Sequence, residues 1–292
     1  MKRGGMRRRD VLAAAVAGLA GCALPRRREP VRAAAAVTPA GAQSGDLRAQ
    51  RLAWAGVRLD TGGASLWLDP LADADVWGPA LKDPLSLPSP DGAQRRYVVV
   101  THRHPDHFDP IAVRAALGET GTLVCAPETA AIAAGRGFRP RVASLYEPVL
   151  LGDDFTATAV PAVDGYGDPQ VSWVIRGGGR RILHCGDTLW HGAWWHIGRN
   201  FGPFDAAFLP INGAKFAWRK PVSEIPAVLT PEQAIAAAVI VGARMVVPIH
   251  YGVVGAEGYE EMPDAAARLV AEGRRRGVAV ELVSPGGWVD WQ

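Results

Sequence analysis

Tyr97-Val98-Val99-Val100-Thr101-His102-Arg103-His104-Pro105-Asp106-His107 is the stretch whose reading decides the fold. A run of β-branched and aromatic residues predicts a buried strand, and His102, His104, Asp106 and His107 follow where that strand gives way to a loop. Imidazoles and a carboxylate packed together without a cation would carry a heavy desolvation cost, so these side chains are not core filler. A metal ion removes that cost. In extended backbone, His102 and His104 project to the same side and can share one ion. Once the chain turns at Pro105, Asp106 and His107 can face a second.

Working outward, short β-rich runs alternate with turn signals: Leu52 to Leu59, Ser65 to Leu68, Leu123 to Cys125, Phe155 to Val160, Val171 to Ile175, Arg181 to Cys185, Ala206 to Leu209 and Met245 to Ile249. Helices are fewer. Asp109 can cap one with Pro110 at its first position, running through Ile111 to Leu117. Thr230-Pro231-Glu232-Gln233 caps a second through Ala234 to Val241, stopped by Gly242. A third runs from about Pro263 to Arg276 and precedes a strand from Val278 to Val283. Strands in both halves with helices arriving at intervals imply two sheets covered by helices, an α/β layered architecture.

The chain has 292 residues, 48% hydrophobic and 21% charged, which excludes disorder and leaves room for one substantial core. Its net charge of +3 is unevenly placed. Lys2, Arg3, Arg7, Arg8, Arg9, Arg26, Arg27, Arg28 and Arg32 stand against Asp10 and Glu29 in the first 32 residues, leaving 23 of the 32 basic and 27 of the 29 acidic groups to the rest. The part that folds is mildly acidic and has no basic stripe, which argues against nucleic acid as a partner.

The basic leader predicts export. Arg8-Arg9-Asp10-Val11-Leu12 followed by an Ala-rich run to Ala20 resembles a twin-arginine signal, and Leu19-Ala20-Gly21-Cys22 resembles a lipobox that would place a lipid on Cys22. Cleavage after Ala34-Ala35-Ala36 would instead leave a soluble periplasmic protein, and the chain can also be read as starting at Met6. These readings make residues 1–36 the signal, 37–50 a flexible tether and 51–292 the folded domain. Cys125 and Cys185, in apolar runs, are expected as buried thiols rather than a disulfide.

The motif from His102 to His107 has the HxHxDH form, and with it the chain resembles the metallo-β-lactamase superfamily from about Leu52 to the C-terminus. Trp54-Ala55-Gly56 leading to Leu68-Asp69-Pro70 is similar to its opening hairpin, and Leu183-His184-Cys185-Gly186-Asp187-Thr188 to its Gly-Asp-Thr segment. Val247-Pro248-Ile249-His250-Tyr251 is similar to its last ligand strand. Pro210-Ile211-Asn212-Gly213 and Thr230 to Ala234 further resemble the branch of ascorbate-6-phosphate lactonase-like and N-acyl-phosphatidylethanolamine phospholipase D-like hydrolases. The resemblance implies a single-domain four-layer αββα sandwich. It also implies that His102 and His104 bind a first ion, Asp106, His107 and His250 a second, and that Asp187 bridges them.

Two positions depart from that pattern. Asp164 stands where the family's remaining first-site histidine belongs, and Val57 where relatives often carry a histidine. An Asp164 ligand would cancel the one positive charge left by two divalent cations, Asp106, Asp187 and a hydroxide. That raises the pKa of bound water and shifts preference from zinc toward manganese or iron. Asp164 can also be read as the residue that starts the turn at Gly165. Among His184, His191 and His196, His191 is a candidate pocket group, while Trp190 and Trp194 at i and i+4 read as a helix packing face. The expected function is hydrolysis of an ester, lactone or phosphodiester, with Asp106 orienting the water. The cofactor is one or two Zn2+, with Mn2+ or Fe2+ as alternatives, and the substrate is a small molecule or lipid. The rival function is an exported metal-binding protein of the same fold that has lost catalysis.

Overall fold

The computed structural model describes residues 46–72, 76–89 and 95–291. The twin-arginine pair, Cys22 and the alternative cleavage region lie outside the described residues. The first sheet takes its strands in chain order: β1 (Arg48–Arg51), β2 (Val57–Asp60), β3 (Ala64–Leu68), β4 (Arg95–Val100), β5 (Thr122–Cys125) and β6 (Arg141–Val142). Its opening strands β1, β2 and β3 are antiparallel, whereas β3 through β6 are parallel.

Then come β7 (Pro148–Leu151), β8 (Phe155–Pro161), β9 (Val171–Gly177), β10 (Arg180–His184), β11 (Phe204–Pro210), β12 (Lys215–Phe216), β13 (Ala243–Ile249), β14 (Tyr259–Glu260) and β15 (Ala279–Val280). Of these, β12 and β14 pair only with each other, as a small ribbon. The others form the second sheet in the order β15-β13-β11-β10-β9-β8-β7.

Residues of successive parity on each strand enter different cores, which makes the sandwich legible from burial alone. On β4, Tyr97 and Val99 join the apolar layer between the sheets with Phe208, Val247 and Ile249. Val98 and Val100 face the other way, packing with Val113 and Ala116 of α1 (Pro110–Leu117) and Ala133 of α2 (Pro127–Gly135). On the far side, Leu183, Ala207 and Val246 meet α3 (Trp194–Phe201), α4 (Pro231–Val241) and α5 (Ala265–Arg276) through Trp194, Ile235 and Leu269. The order is helices, sheet, sheet, helices, the αββα sandwich.

Local chemistry accounts for most boundaries. Asp109 accepts from the amides of Ile111 and Ala112 to start α1, and Thr230 with Gln233 makes a reciprocal capping box on α4, which ends at left-handed Gly242. The expected strand from Leu52 to Leu59 is broken by a tight turn. Leu52 N–H donates to the Gly56 carbonyl at 2.8 Å, and a Cβ on Gly56 would meet the Leu52 Cβ at 2.9 Å, so only glycine closes it.

The tether is shorter than expected, because Leu47 and Ala49 are fully buried and β1 pairs with β2, placing residues 47–50 in the domain. Helix α2 was not expected, and α3 was expected only through the Trp190 and Trp194 spacing, which places its start earlier than the structure does. The first is alanine-rich and buries only Thr129 and Ala133, so it carries no apolar stripe. Trp190 lies ahead of α3, and only Trp194 is on it, fully buried in the core as a packing residue. The last expected strand shrinks to Ala279–Val280 beside β13. Both thiols, Cys125 and Cys185, are buried and free, and among the described residues no helix is long and apolar enough to cross a membrane.

Candidate metal centre

The strands β8, β10, β11 and β13 all run in one direction, so the loops after them emerge at one edge of the second sheet. The end of β4 is drawn to the same edge: the Trp173 indole N–H donates to the Val100 carbonyl at 3.0 Å, and the Val171 amide to the Thr101 carbonyl at 3.1 Å. Asp164 follows β8, Asp187 follows β10 and His250 follows β13, so each converges with the loop after β4. Within that loop the amides of His107 and Phe108 donate back to the His104 carbonyl, a turn that returns His107 toward His102. Their rings end 4.2 Å apart.

Two groups result. The ligand atoms of His102, His104, Asp164 and Asp187 lie within 4.8 Å of one another, as do those of Asp106, His107 and His250. Asp187 joins the two groups: its Oδ2 is 3.8 Å from His102 Nε2 and 3.9 Å from His107 Nε2. Gly186, with φ +57°, allows this approach, since a Cβ there would lie 2.8 Å from the Thr101 hydroxyl.

Donor placement suits a cation. Asp69, buried and with a positive φ of 42°, accepts from the Thr101 amide at 2.8 Å and hydroxyl at 2.6 Å, and from His107 Nδ1 at 2.8 Å. The Thr101 hydroxyl, its proton given to Asp69, accepts from His102 Nδ1 at 3.0 Å. His104 Nε2 donates to Asp168 at 2.8 Å, and Asp168 also takes Arg103. The nitrogens left over, His102 Nε2 and His104 Nδ1, then face each other at 2.8 Å, an arrangement that a shared cation resolves. In the other group His107 Nε2, both ring nitrogens of His250 and Asp187 Oδ1 are buried with no hydrogen-bond partner. Such atoms are costly unless something binds them, so the residues fit a metal.

The electrostatics agree. Burial, reinforced by the neighbouring imidazoles, pushes His102 and His250 well below the ordinary histidine range. For His107 burial alone would lower the pKa, but Asp106, Asp187 and Asp69 outweigh it and raise it to about 10. Burial lifts Asp187 to about 7, against the pull of His107.

Asp164 makes the turn and also borders the first group. Its Oδ2 accepts from the amides of Tyr166 and Asp168, making the turn, while Oδ1 is 4.0 Å from His104 Nδ1. Val57 is fully buried in the layer between the sheets. His191 stands outside both groups. It stacks on Trp194 at 4.2 Å, accepts from the Ala193 amide, and burial lowers its pKa to about 4. His184 is a structural histidine, donating to the Ala55 carbonyl at 2.8 Å.

Sequence reading missed Asp69 and Asp168, which orient histidines, and Trp54, whose indole N–H donates to Asp106 Oδ2 at 3.0 Å. Both aspartates come from loops distant in sequence. The visible signal was the placement of Leu68-Asp69-Pro70 at a strand end.

A two-sheet sandwich with a His/Asp centre at the edge where strand ends meet defines a metallo-β-lactamase-fold protein. Residues 66–251, well over half of the chain, match the model of the Beta-lactamase superfamily domain, and the chain belongs to that family. An uncharacterized protein of Mycobacterium tuberculosis (strain ATCC 25618 / H37Rv) is 29% identical over 248 residues, 77% of this chain and 62% of that protein. The chain thus spans about three fifths of the length of its mycobacterial relatives. A UPF0173 metal-dependent hydrolase of Rubrobacter xylanophilus is 29% identical across 82% of this chain and 93% of its own. Among solved structures, a metallo hydrolase from Ignicoccus hospitalis shares 19% identity over 83% of this chain and 97% of its own, with a TM-score of 0.61. A diiron β-hydroxylase from Streptomyces venezuelae reaches 0.65 at 15% identity, over 84% of this chain and 54% of its own. At such identities the likeness is one of fold.

Proposed function

We propose that this protein is a metal-dependent hydrolase that turns water on a carbonyl or phosphoryl centre. The observation that carries the reading is the convergence of two His/Asp groups on Asp187, with buried ring nitrogens of His107 and His250 left without partners. The name of the Rubrobacter relative, a metal-dependent hydrolase, supports the same class. His102, His104 and Asp164 would hold one ion, Asp106, His107 and His250 a second, and Asp187 both. Four imidazoles with three carboxylates suit zinc, with manganese or iron favoured in proportion to the hard oxygens.

When bound, such ions acidify water and polarise the electrophilic centre. The chain's own residues do the rest. Asp106, anchored through Oδ2 by the Trp54 indole, keeps Oδ1 to orient the attacking water and accept its proton. Asp69 fixes the His107 tautomer directly and that of His102 through Thr101, so that each presents Nε2 inward. Asp168 does the same for His104, presenting Nδ1.

The resemblance at Pro210 to Gly213 and Thr230 to Ala234 supports a lactone, ester or phosphodiester as the substrate bond. The test is metal content together with turnover of p-nitrophenyl esters, a lactone and a phosphodiester, in protein loaded with Zn2+, Mn2+ or Fe2+. Activity lost in His102→Ala is the expected result, and metal binding without any turnover overturns the enzyme reading in favour of a binding protein. The leader reading stands beside this as a proposal: twin-arginine export with lipid on Cys22, tested by mass spectrometry of the mature N-terminus. An unmodified start near Val37 would replace it with soluble export.

A further inference from the structure

Trp54, Trp77, Tyr166, the pair Phe216 and Trp218, and Tyr259 come from five separate segments, yet their rings join the two ends of the candidate metal centre. From His104 the contacts run to Tyr166 at 5.3 Å, Phe216 at 4.7 Å, Tyr259 at 5.7 Å, Trp77 at 4.7 Å, Trp54 at 5.1 Å and His250 at 4.0 Å. Trp218 stacks on Phe216 at 5.3 Å and 15°, its indole N–H donates to the Tyr166 hydroxyl, and it is 46% exposed. The outer members belong to the β12/β14 ribbon or border it, and that ribbon joins neither main sheet.

Trp54 and Tyr259 are buried in the core, Trp77, Tyr166 and Phe216 are half-buried and Trp218 is exposed, so the accessible part of the wall is its outer end beside His104. The Tyr259 hydroxyl, buried, accepts from Asn212 Nδ2 at 2.6 Å, and its pKa is pushed well above the usual range by burial, with Glu261, Asp106 and Asp187 adding to the rise. The ring is therefore neutral beside the carboxylates of the centre. Solvent reaches the cluster at His104, Asp106 and Asp187, whose side chains are 19%, 14% and 11% exposed.

We propose that this ribbon-borne aromatic wall is an apolar subsite, and that the substrate is an ester, lactone or phosphodiester carrying an acyl or aryl group next to the bond that is cut. The inference rests on the hydrolase reading for the identity of that bond. Aromatic faces give a group of this kind a large contact area at little entropic cost, and they exclude water from the side where the centre is reached. Tyr166, Phe216 and Trp218, on the outer part of the wall, select the length and shape of the apolar group, while Trp54 and Tyr259, buried in the core behind them, hold the wall in place.

The test uses isothermal titration calorimetry of acetate, hexanoate and decanoate against the metal-loaded protein, with p-nitrophenyl acetate and hexanoate turnover run in parallel. Each methylene taken from water is worth up to about fourfold in affinity, so hexanoate should bind at least about tenfold tighter than acetate. That gain should fall to about threefold or less in Phe216→Ala and Trp218→Ala. It should persist in Trp195→Ala, which removes an exposed tryptophan of α3 outside the wall. Trp218→Leu, which keeps apolar area, should restore most of it and guards against a general loss of structure. Affinity that does not rise with chain length, or a rise equal in wild type and both alanine variants, overturns the subsite. Graded binding with no turnover of the esters, a lactone or a phosphodiester sustains the subsite and instead removes the hydrolase reading.

Discussion

The two halves of the metal centre are held in opposite ways. Asp106, His107 and His250 form a group whose imidazoles are fully or almost fully buried, with His107 fixed by Asp69 and His250 set by a left-handed backbone, φ +56°, against Trp54. The other half keeps His102 fully buried, but Asp164 sits on a loop whose Val163, Gly165, Gly167 and Pro169 are exposed, and His104 is steadied by Asp168 paired with exposed Arg103. One group is prearranged with empty-handed nitrogens, while the other has closed its donors on each other. The difference teaches that the buried group should hold its ion more tightly and that the loop group should be the adjustable one.

The largest effect should come where the halves meet. Asp187→Ala is expected to release both ions and lower turnover by at least about a thousandfold. Cys185→Ala, two residues away, should keep both and lose only about 1 kcal/mol of stability. Metal analysis beside kinetics checks the pair, and loss of a single ion in Asp187→Ala would break the idea of a shared carboxylate.

Asp164 sharpens the contrast next. Asp164→Ala should empty the loop group and leave the buried one loaded, with a larger drop in affinity than the roughly tenfold to hundredfold typical of outer ligand partners. Asp164→His should keep two ions and move the basic limb of the pH-rate profile to lower pH, because the centre regains one positive charge. Unchanged stoichiometry and profile in both variants would leave Asp164 as a turn residue only.

Asp69→Asn should weaken ion binding by about tenfold to a hundredfold, since the amide NH2 would face the Thr101 backbone N–H that one carboxylate oxygen now accepts, disturbing the other oxygen that takes the Thr101 hydroxyl and His107 Nδ1. Competition with a chromogenic chelator reads this directly. Because Asp69 holds His107 directly and His102 only through Thr101, the buried group should suffer more; an equal or larger loss in the loop group would overturn that order.

The smallest effect concerns His191, which stands outside both groups. Burial depresses its pKa from 6.5 to about 4, so it contributes full stability above pH 6.5. That contribution is lost as pH falls through 4, because the unfolded chain takes up the proton first. At about 1.36 kcal/mol per unit the loss is at most about 3 kcal/mol, less where solvent reaches the ring. His191→Phe should keep the stack on Trp194 and remove this part of the acid sensitivity in denaturant midpoints at pH 7, 5 and 4. Its turnover at pH 8 should stay within about threefold of wild type. A hundredfold loss would make His191 a catalytic group.

The contrast between the halves also explains what could be read in advance. The turn from His102 to His107 is local, so residue types and spacing placed four side chains around a centre before any fold was known. The caps at Asp109 and Thr230 were legible for the same reason: a cap is a bond between residues two or three apart. The tight turn at Gly56 was not, because an apolar run through Leu52 to Leu59 satisfies strand periodicity, and only the close approach of Leu52 forbids a side chain there. Helix α2 escaped because alanines carry no stripe for a period to act on.

Asp164 marks the boundary between the two kinds of information. From sequence it was either a turn or a ligand; packing shows the turn, with one carboxylate oxygen taking the turn amides, and places the other 4.0 Å from His104 Nδ1. The sequence by itself determined the donor chemistry, the strand before it and the helix caps, because those depend on neighbours along the chain. Tertiary structure alone decided that Asp69 and Asp168 orient the imidazoles, that Asp187 lies between the two groups, and that aromatic rings from five segments pack between His104 and His250. These are contacts between residues tens to hundreds of positions apart, and no local propensity encodes the closure of loops that long.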